Sequence, residues 1–554
     1  MTSHSVLRGL ALTTMMVVVL FLVAACNDTT SPPTGSTTAV PSGSTPGAPA
    51  GSPTPTKPSG KINVAVDFHN GDIMMSAGKG FNYGNTFQAI GAPAFDSLII
   101  PSPDGKPKPG LAEKWEIAPD GKTHTFYLKK GIKFQDGSDL TATDVKYTWE
   151  AMFEPGATSD AIVWKNSIEK VEVKDPYTIV LNFKAPQFEL LVGFENFSGA
   201  DAVVPQKAAE SLGWDKFSRT LVGSGPYKVL SLSPSTKLEL EALDTHWRKV
   251  PAIKNVTITN IKEEQTKVSM LKTGELDIAV VSPDSVAGLK AAGIKIVGHY
   301  GGGQVFSWPL YDVKNPKSSP MGDVRVRKAM SIAVDRKELA DKVYQGYAQP
   351  GYLMFVPKTA YFFDPNTMKP DPFDPEGAKK LIADAGYGSG FSTSTYDVGG
   401  GGDISTITQA LVGYWKKVGI NSDLIAGDRT AILAKFQTVM QPEVFNKVWV
   451  YSSGGAIFNF ERFYTPCHPT KGTVKNNANT QLGELIDKVP QTFNVADRTK
   501  TAAQAVLMCH DEYTTPAFLD VDTLYAVSSR VGNFVPTQGM LGLGYSYENM
   551  TLTK

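Results

Sequence analysis

Between residues 109 and 150 apolar and polar positions first alternate and then switch to a helical period. Trp115 and Ile117 alternate with polar neighbours, as on a half-buried strand, and Phe126 and Leu128 continue the pattern on a returning strand. Asp120-Gly121 lies between them as a hairpin signal, because glycine adopts positive φ without steric cost. Asp136-Gly137 marks a second turn. Thr141 and Asp144 then form a T-x-x-D helix start, with Leu140 and Val145 placed as a hydrophobic staple. Val145, Trp149 and Phe153 recur every four residues along one helix face. The spacing predicts a β-hairpin packed under a helix.

The same reading extends in both directions. Ile62 to Val66 alternates as a first strand, and Asp67 to Gly71 forms the turn at its carboxyl end. Such turns line ligand clefts in α/β sheets, which makes Phe68, His69 and Asn70 candidate ligand contacts. Val171 to Val173 and Thr178 to Leu181 flank Asp175-Pro176 as another strand-turn-strand unit. Ile278 to Val281 reads as a strand, and Gln304 to Trp308 alternates as a strand crossing between lobes. Val326, Ala329, Met330 and Ala333 follow helical spacing, and Asp335 and Glu338 restart a helix with Val334 and Leu339 as its staple. Asp374-Pro375 opens a helix closed by Gly386, and Ile407 to Val418 makes another, ended by Gly419. Arg325 and Arg327 read as a solvated face, and Gly399 to Gly402 as a floppy loop.

The amino terminus breaks the pattern. Arg8 precedes an apolar run from Ala11 to Val23, of signal-peptide length and short for a membrane span. Val23-Ala24-Ala25-Cys26 resembles a lipobox, which implies cleavage before Cys26 and lipid on its thiol. From Asn27 to Gly60 the chain is Ser, Thr, Pro, Gly and Ala with almost no large apolar residue, a composition that cannot offset the entropy of ordering. As a coil it spans about 30 Å, and extended as polyproline II about 100 Å. Residues 1–25 are therefore expected to be a lipoprotein signal and 26–60 a disordered tether, with the folded body beginning near Lys61. That body, of about 490 residues, is too long for one core.

Charge and motifs narrow the chemistry. Lys+Arg and Asp+Glu both number 54, and no basic stripe is visible, which argues against nucleic-acid binding. No second long apolar run occurs, so the body should be soluble. Gly121-Lys122-Thr123 resembles the tail of a P-loop, but position 116 is Glu where glycine is needed. Gly223-Ser224-Gly225-Pro226 is no dinucleotide loop, since no helical pattern follows and Pro226 lacks the N–H that a phosphate would use. There is no G-x-S-x-G or H-E-x-x-H, and no nucleophile, base and orienter assemble into a hydrolase site. With Cys26 assigned to lipid, Cys467 and Cys509 are expected to form a disulfide, as an isolated pair outside the cytoplasm does. Each is followed by His, but the spacing lacks the C-x-x-C or H-x-x-x-H form of a metal site, so neither metal nor cofactor is expected. Aromatics crowd two crossing strands: Trp308 on one, Trp449 and Tyr451 on the other, followed by Phe458, Phe460, Phe463 and Tyr464. As a group they offer stacking platforms for a ligand.

The order of residues says more than the periodicity. Pro109, Leu111, Ala112 and Trp115 lead into Asp120-Gly121; Phe126, Leu128, Gly131, Phe134, Asp136 and Gly137 follow, then Thr141, Ala142, Asp144 and Val145. This series resembles the signature of the extracytoplasmic solute-binding proteins of ABC importers, peptide/nickel type. Gly223 to Tyr227, Leu271 to Asp277, and Arg325 to Arg336 resemble later landmarks, so the likeness runs from about Pro109 to Gly419.

The resemblance implies an α/β, two-lobe periplasmic-binding-protein-like fold of type II, with a small inserted lobe. On this chain, lobe I would comprise 61–98, 220–308 and 525–554, the inserted lobe 99–219, and lobe II 309–524. It also implies no chemistry: a lipid-anchored monomer on the outer face of the membrane would enclose a solute by hinge closure and deliver it to permease subunits. A ligand sensor would reuse the same fold. Gln304, Phe306, Trp308, Trp449, Tyr451, Ser452, Ser453, Asn459 and Arg462 join Phe68, His69 and Asn70 as candidate ligand contacts. Many peptide binders of this family hold the peptide ammonium with an Asp shortly after a Trp-bearing strand. The similar stretch, Trp449 to Phe460, contains no acid; it offers hydroxyls, an amide and rings, while Arg462 suits a carboxylate. A buried ammonium without a carboxylate is strongly disfavoured, so an oligosaccharide stands beside the family's default, a peptide, unless an acid such as Asp67 substitutes.

Overall fold

The computed structural model describes residues 57–66, 93–100, 108–152, 167–188, 202–233, 236–356, 358, 360–398, 403–427, 432, 445–453, 467–471, 477–536, 543 and 546–553. Cys26, Phe68, His69, Asn70, Phe153, Gly399 to Gly402, Phe458, Asn459, Phe460, Arg462, Phe463 and Tyr464 lie outside these residues.

One sheet runs through the body. Strand β1 (Ser59–Val66) begins three residues ahead of the expected start at Ile62. Strands β2 (Ile99–Ile100) and β3 (Lys108–Pro109) form a short ladder. Strands β4 (Ala112–Ile117), β5 (Thr123–Leu128), β6 (Ile168–Asp175) and β7 (Thr178–Phe183) make a separate antiparallel sheet, ordered β4-β5-β7-β6. The main sheet takes β8 (Tyr227–Ser233), β9 (Lys237–Ala242), β10 (Ile253–Asn260), β11 (Ile278–Val281) and the long β12 (Lys295–Leu310). It continues with β13 (Ala348–Pro350), β14 (Phe391–Asp397), β15 (Ile420–Ile425), β16 (Lys447–Ser453) and β17 (Ala517–Val527). Its order is β15-β14-β16-β12-β17-β11-β1-β10-β9-β8, with β13 also on β17. Strands β18 (Val531–Gly532) and β19 (Thr551–Leu552) form a last ladder.

Two parallel centres sit in this sheet. Strand β1 pairs parallel with β10 and β11, and β14 pairs parallel with β15 and β16. Parallel strands are covered on both faces and read as nearly continuous apolar runs, as in Ile278–Val281. Helices α4 (Glu264–Thr273) and α5 (Pro283–Ala291) join Ala65, Ala279 and Val281 in one core. At the other centre, α6 (Val324–Ile332), α7 (Arg336–Lys342), α8 (Pro375–Ile382) and α9 (Asp403–Lys417) pack with Val305, Val448, Val450 and Leu519. Strands β12 and β17, antiparallel to each other, run between the two centres.

The helix starts follow the caps in the sequence. Helix α1 (Ala142–Met152) is preceded by Thr141, whose N–H and Oγ1 both donate to Asp144 Oδ2 at 2.9 Å, satisfying groups that a helix start leaves open. Asp335 accepts from Glu338 N, and Asp374 from Gly377 N ahead of α8. Trp149, Val145, Phe126 and Phe134 of the motif region are buried in the core beneath α1, with α2 (Gln206–Leu212) and α3 (Trp214–Thr220) beside it. The Gly-Ser-Gly-Pro turn has a packing reason. Gly225 N donates to Ala94 O at 2.9 Å, and a Cβ on Gly225 would sit 2.5 Å from Pro93 O. Gln135 ties the motif region to that turn, its Nε2 donating to Gly225 O and Tyr227 O.

The expected solvated arginine face holds at only one of its two positions. Arg325 is exposed and bound to Asp323. Arg327 is buried: its guanidinium donates to Glu512 O and Met321 O and lies 4.7 Å from the centre of the Tyr311 ring. Carbonyl acceptors and a ring face let the charge sit inside, which the charge pattern alone did not show.

Candidate functional site

The site is built on the crossing strands. In β12 the register against β17 slips at the glycines: His299 faces Thr523 and Gly303 faces Val521, so four steps of one strand match two of the other. Glycine contributes no side chain to sheet packing and tolerates a bulge, and the same ladder shifts register again between Val305 and Phe306.

Beyond the slip, alternate residues of β12 line one face. Phe306 lies opposite Tyr451 of β16, Trp308 opposite Trp449, and Gln304 opposite Ser453. The sequence-predicted aromatics therefore come together. The ring centres of Phe306 and Tyr451 lie 5.5 Å apart, and Trp308 stacks on Tyr451 at 6.4 Å. Trp449 is fully buried and stacks on Tyr396 at 4.8 Å, so it backs the wall and presents no open ring face. Phe306 is also fully buried, closed over by Phe355 and Met354. Tyr451 and Phe355 are half-buried and form the accessible edge of the wall.

Gln304 holds this cover in place. Its Nε2 donates to Asp520 Oδ1 at 2.8 Å and to Leu353 O at 3.2 Å, while its Oε1 accepts from Phe355 N at 2.7 Å. With both ends of its amide engaged, Gln304 positions the 353–355 segment on the sheet. Phe355 itself sits at φ 60°, a left-handed conformation costly for a bulky residue and kept by these bonds.

Sequence reasoning missed Asp520. It lies opposite Gln304 in the ladder and opposite Gln349 of β13. Burial pushes its carboxyl up to about 6; the Gln304 bond, Lys358 and Tyr300 pull the other way without cancelling it. Asp522, two residues on, is also raised by burial. The available signal was a pair of isolated acids in the apolar run Ala517–Val527.

Cys467 and Cys509 lie beneath the same cover, with Cα atoms 5.7 Å apart and Sγ atoms at bonding distance, packed among Tyr352, Leu353, Val356 and Leu482. The neighbouring histidines part company. His468 accepts from Thr470 N and Lys471 N and faces Asp487 at 3.3 Å, whereas His510 stacks on Tyr352 at 4.4 Å. A surface cavity of about 320 Å³, lined by Glu338, Lys342, Ala410 and Tyr414 among others, lies between α7 and α9 and shares no residue with the wall.

Among the described residues no helix is long and apolar enough to cross a membrane. Residues 106–471 match the sequence family described as bacterial extracellular solute-binding proteins, family 5, middle. The chain is 26% identical over 501 residues to the glutathione-binding protein GsiB of Escherichia coli K12, covering 87% of this chain and 94% of that one. To the protein of the same name from Salmonella paratyphi A it is 25% identical, over 78% of this chain and 86% of the other. The fold is similar to that of the ABC transporter substrate-binding protein CtaP from Listeria monocytogenes, with a TM-score of 0.77 at 19% identity over 90% of this chain and all of the other. It is also similar to the periplasmic binding protein DppA from Helicobacter pylori solved with the peptide STSA, with a TM-score of 0.73 at 19% identity over 90% and 99% of the two chains. The architecture is that of the type II periplasmic binding proteins, and the chain belongs to the family 5 extracellular solute-binding proteins of ABC importers.

Proposed function

We propose that this protein captures a short peptide or a similar oligomeric solute by closing two lobes about the β12–β17 crossing, and hands it to ABC permease subunits. The observation that carries the reading is the wall beside the glycine slip: Phe306, Trp308 and Tyr451 on one sheet face, with Gln304 and Asp520 at its polar end. A hinge needs a few residues that absorb a backbone change, and Gly301 to Gly303 supply them. The wall supplies apolar contact, with the half-buried Tyr451 and Phe355 at its edge. Ser452, Ser453, Asn459 and Arg462 would complete one side of the cleft, and Phe68, His69 and Asn70 the other. The lobe boundaries follow the sequence: 61–98, 220–308 and 525–554 against 309–524, with 99–219 inserted. The peptide class draws support from relatives named for glutathione binding and a structural neighbour solved with a peptide.

Calorimetry tests the ligand class. Glutathione, unmodified di- to pentapeptides, their N-acetylated forms and linear oligosaccharides would be titrated in turn. Sub-millimolar binding of free peptides, lost on acetylation, is the expected result. Binding confined to oligosaccharides would move the protein to the neutral-sugar class, where the stacked rings would serve sugar faces.

The anchoring belongs to the same proposal. A monomer held by lipid on Cys26 at the outer face of the membrane, after removal of residues 1–25, would stand on the 26–60 tether. Cys26→Ala should leave the membrane fraction on cell fractionation; a variant that stays bound refutes the lipid anchor.

A further inference from the structure

Phe188 joins two parts of the molecule that are far apart in sequence. On one side it packs against the turn of the antiparallel sheet β4–β7. Gln187 N donates to Gly121 O at 2.9 Å, and the Phe188 ring lies on Gly121, the turn between β4 and β5. A Cβ on Gly121 would come 2.4 Å from that ring, so the turn glycine makes the seat. On the other side Phe188 meets the connection between α10 (Thr480–Lys488) and α11 (Val495–Asp511). Phe188 N donates to Pro490 O at 3.3 Å, and its ring meets Phe493 edge-on with centres 5.1 Å apart. The Arg498 guanidinium lies 6.0 Å from the Phe188 ring centre and donates to Thr492 O and Phe493 O, holding the connection in shape. Phe493 is 61% exposed and Val495 63%, so these apolar side chains contribute little to the helix pair's own core.

The geometry points to Phe188 as a latch: it bridges the inserted sheet lobe and the α10–α11 pair of lobe II, and biases the hinge toward its closed arrangement before solute binds. This rests on the hinge-closure reading above. One aromatic pair with one backbone hydrogen bond is small beside a lobe interface. Such a contact shifts the balance between two hinge states without locking either. Because Phe188 and Phe493 act as one contact, removing either should release it, and removing both should add nothing further.

Solution scattering without any solute tests this on five proteins: wild type, Phe188→Ala, Phe493→Ala, the combined Phe188→Ala/Phe493→Ala, and Phe188→Cys/Phe493→Cys joined by a short bis-maleimide. Near-UV circular dichroism checks that each is folded, and two variants on opposite sides guard against the loss of either. The latch predicts a larger radius of gyration for both alanine variants than for wild type, with wild type close to the cross-linked form. The combined Phe188→Ala/Phe493→Ala protein should match the single variants. If wild type matches the alanine variants while the cross-linked form is smaller, the latch is overturned and the hinge stands. If all share one radius, the contact shifts no hinge equilibrium and the latch is overturned, while the hinge itself is decided by scattering with a bound solute.

Discussion

Asp520 interrupts the apolar run of β17 and is buried beside Gln304 at the crossing of the two long strands. Its carboxyl titrates near pH 6, against about 4 for an exposed Asp. Between those values the native carboxyl keeps a proton that the unfolded chain has released. Raising the pH through that window therefore destabilises the native state, by at most about 3 kcal/mol for a shift of this size. Asp520→Asn removes the charge and keeps an acceptor for Gln304. Its thermal unfolding midpoint should exceed that of wild type at pH 7.5 and converge with it below about pH 4. A variant less stable than wild type at pH 7.5 would mean that the ionised carboxylate is used. Residue identities were legible where type and place agree: Phe306, Trp308 and Tyr451 were found because large rings on alternating positions announce a packed face. Asp520 and Arg327 were not, since a charged group is stable inside only through partners such as Gln304 for Asp520 and Glu512 for Arg327, which lie far off in the chain.

At the scale of elements, the local signals were sufficient. Asp144, Asp335 and Asp374 cap the helices they were expected to cap, and the Asp120-Gly121 turn joins β4 to β5. These are interactions within four residues, so the sequence carries them whole. The Cys467–Cys509 contact is different in kind, because it closes a 42-residue separation and places Cys509 of α11 under the Leu353–Phe355 cover. A disulfide there should stabilise by about 3–4 kcal/mol in the chain-entropy model. Peptide mapping without reduction should recover the two cysteines in one linked fragment, and mild reduction should lower the unfolding midpoint. Two free thiols in the native protein would contradict the assignment.

For the whole molecule, local pattern ran out where the chain pairs across distance. Strand β12 was expected to cross, but its partner β17, more than two hundred residues later, leaves no trace in the periodicity of either. The seat of Phe188 on Gly121 and against Phe493 is equally non-local. The family resemblance supplied the two-lobe plan, because the order of many short motifs carries topology that no single one does. The hinge proposed above, on which the functional account depends, would place its mechanical centre at the register slip between His299 and Gly303. Solution scattering during a titration with a peptide that calorimetry shows to bind tests that account most directly. The radius of gyration should fall and saturate with the same midpoint as the heat of binding, and the peptide should be recovered unchanged. An unchanged radius at saturation, or a chemically altered peptide, would contradict capture by hinge closure.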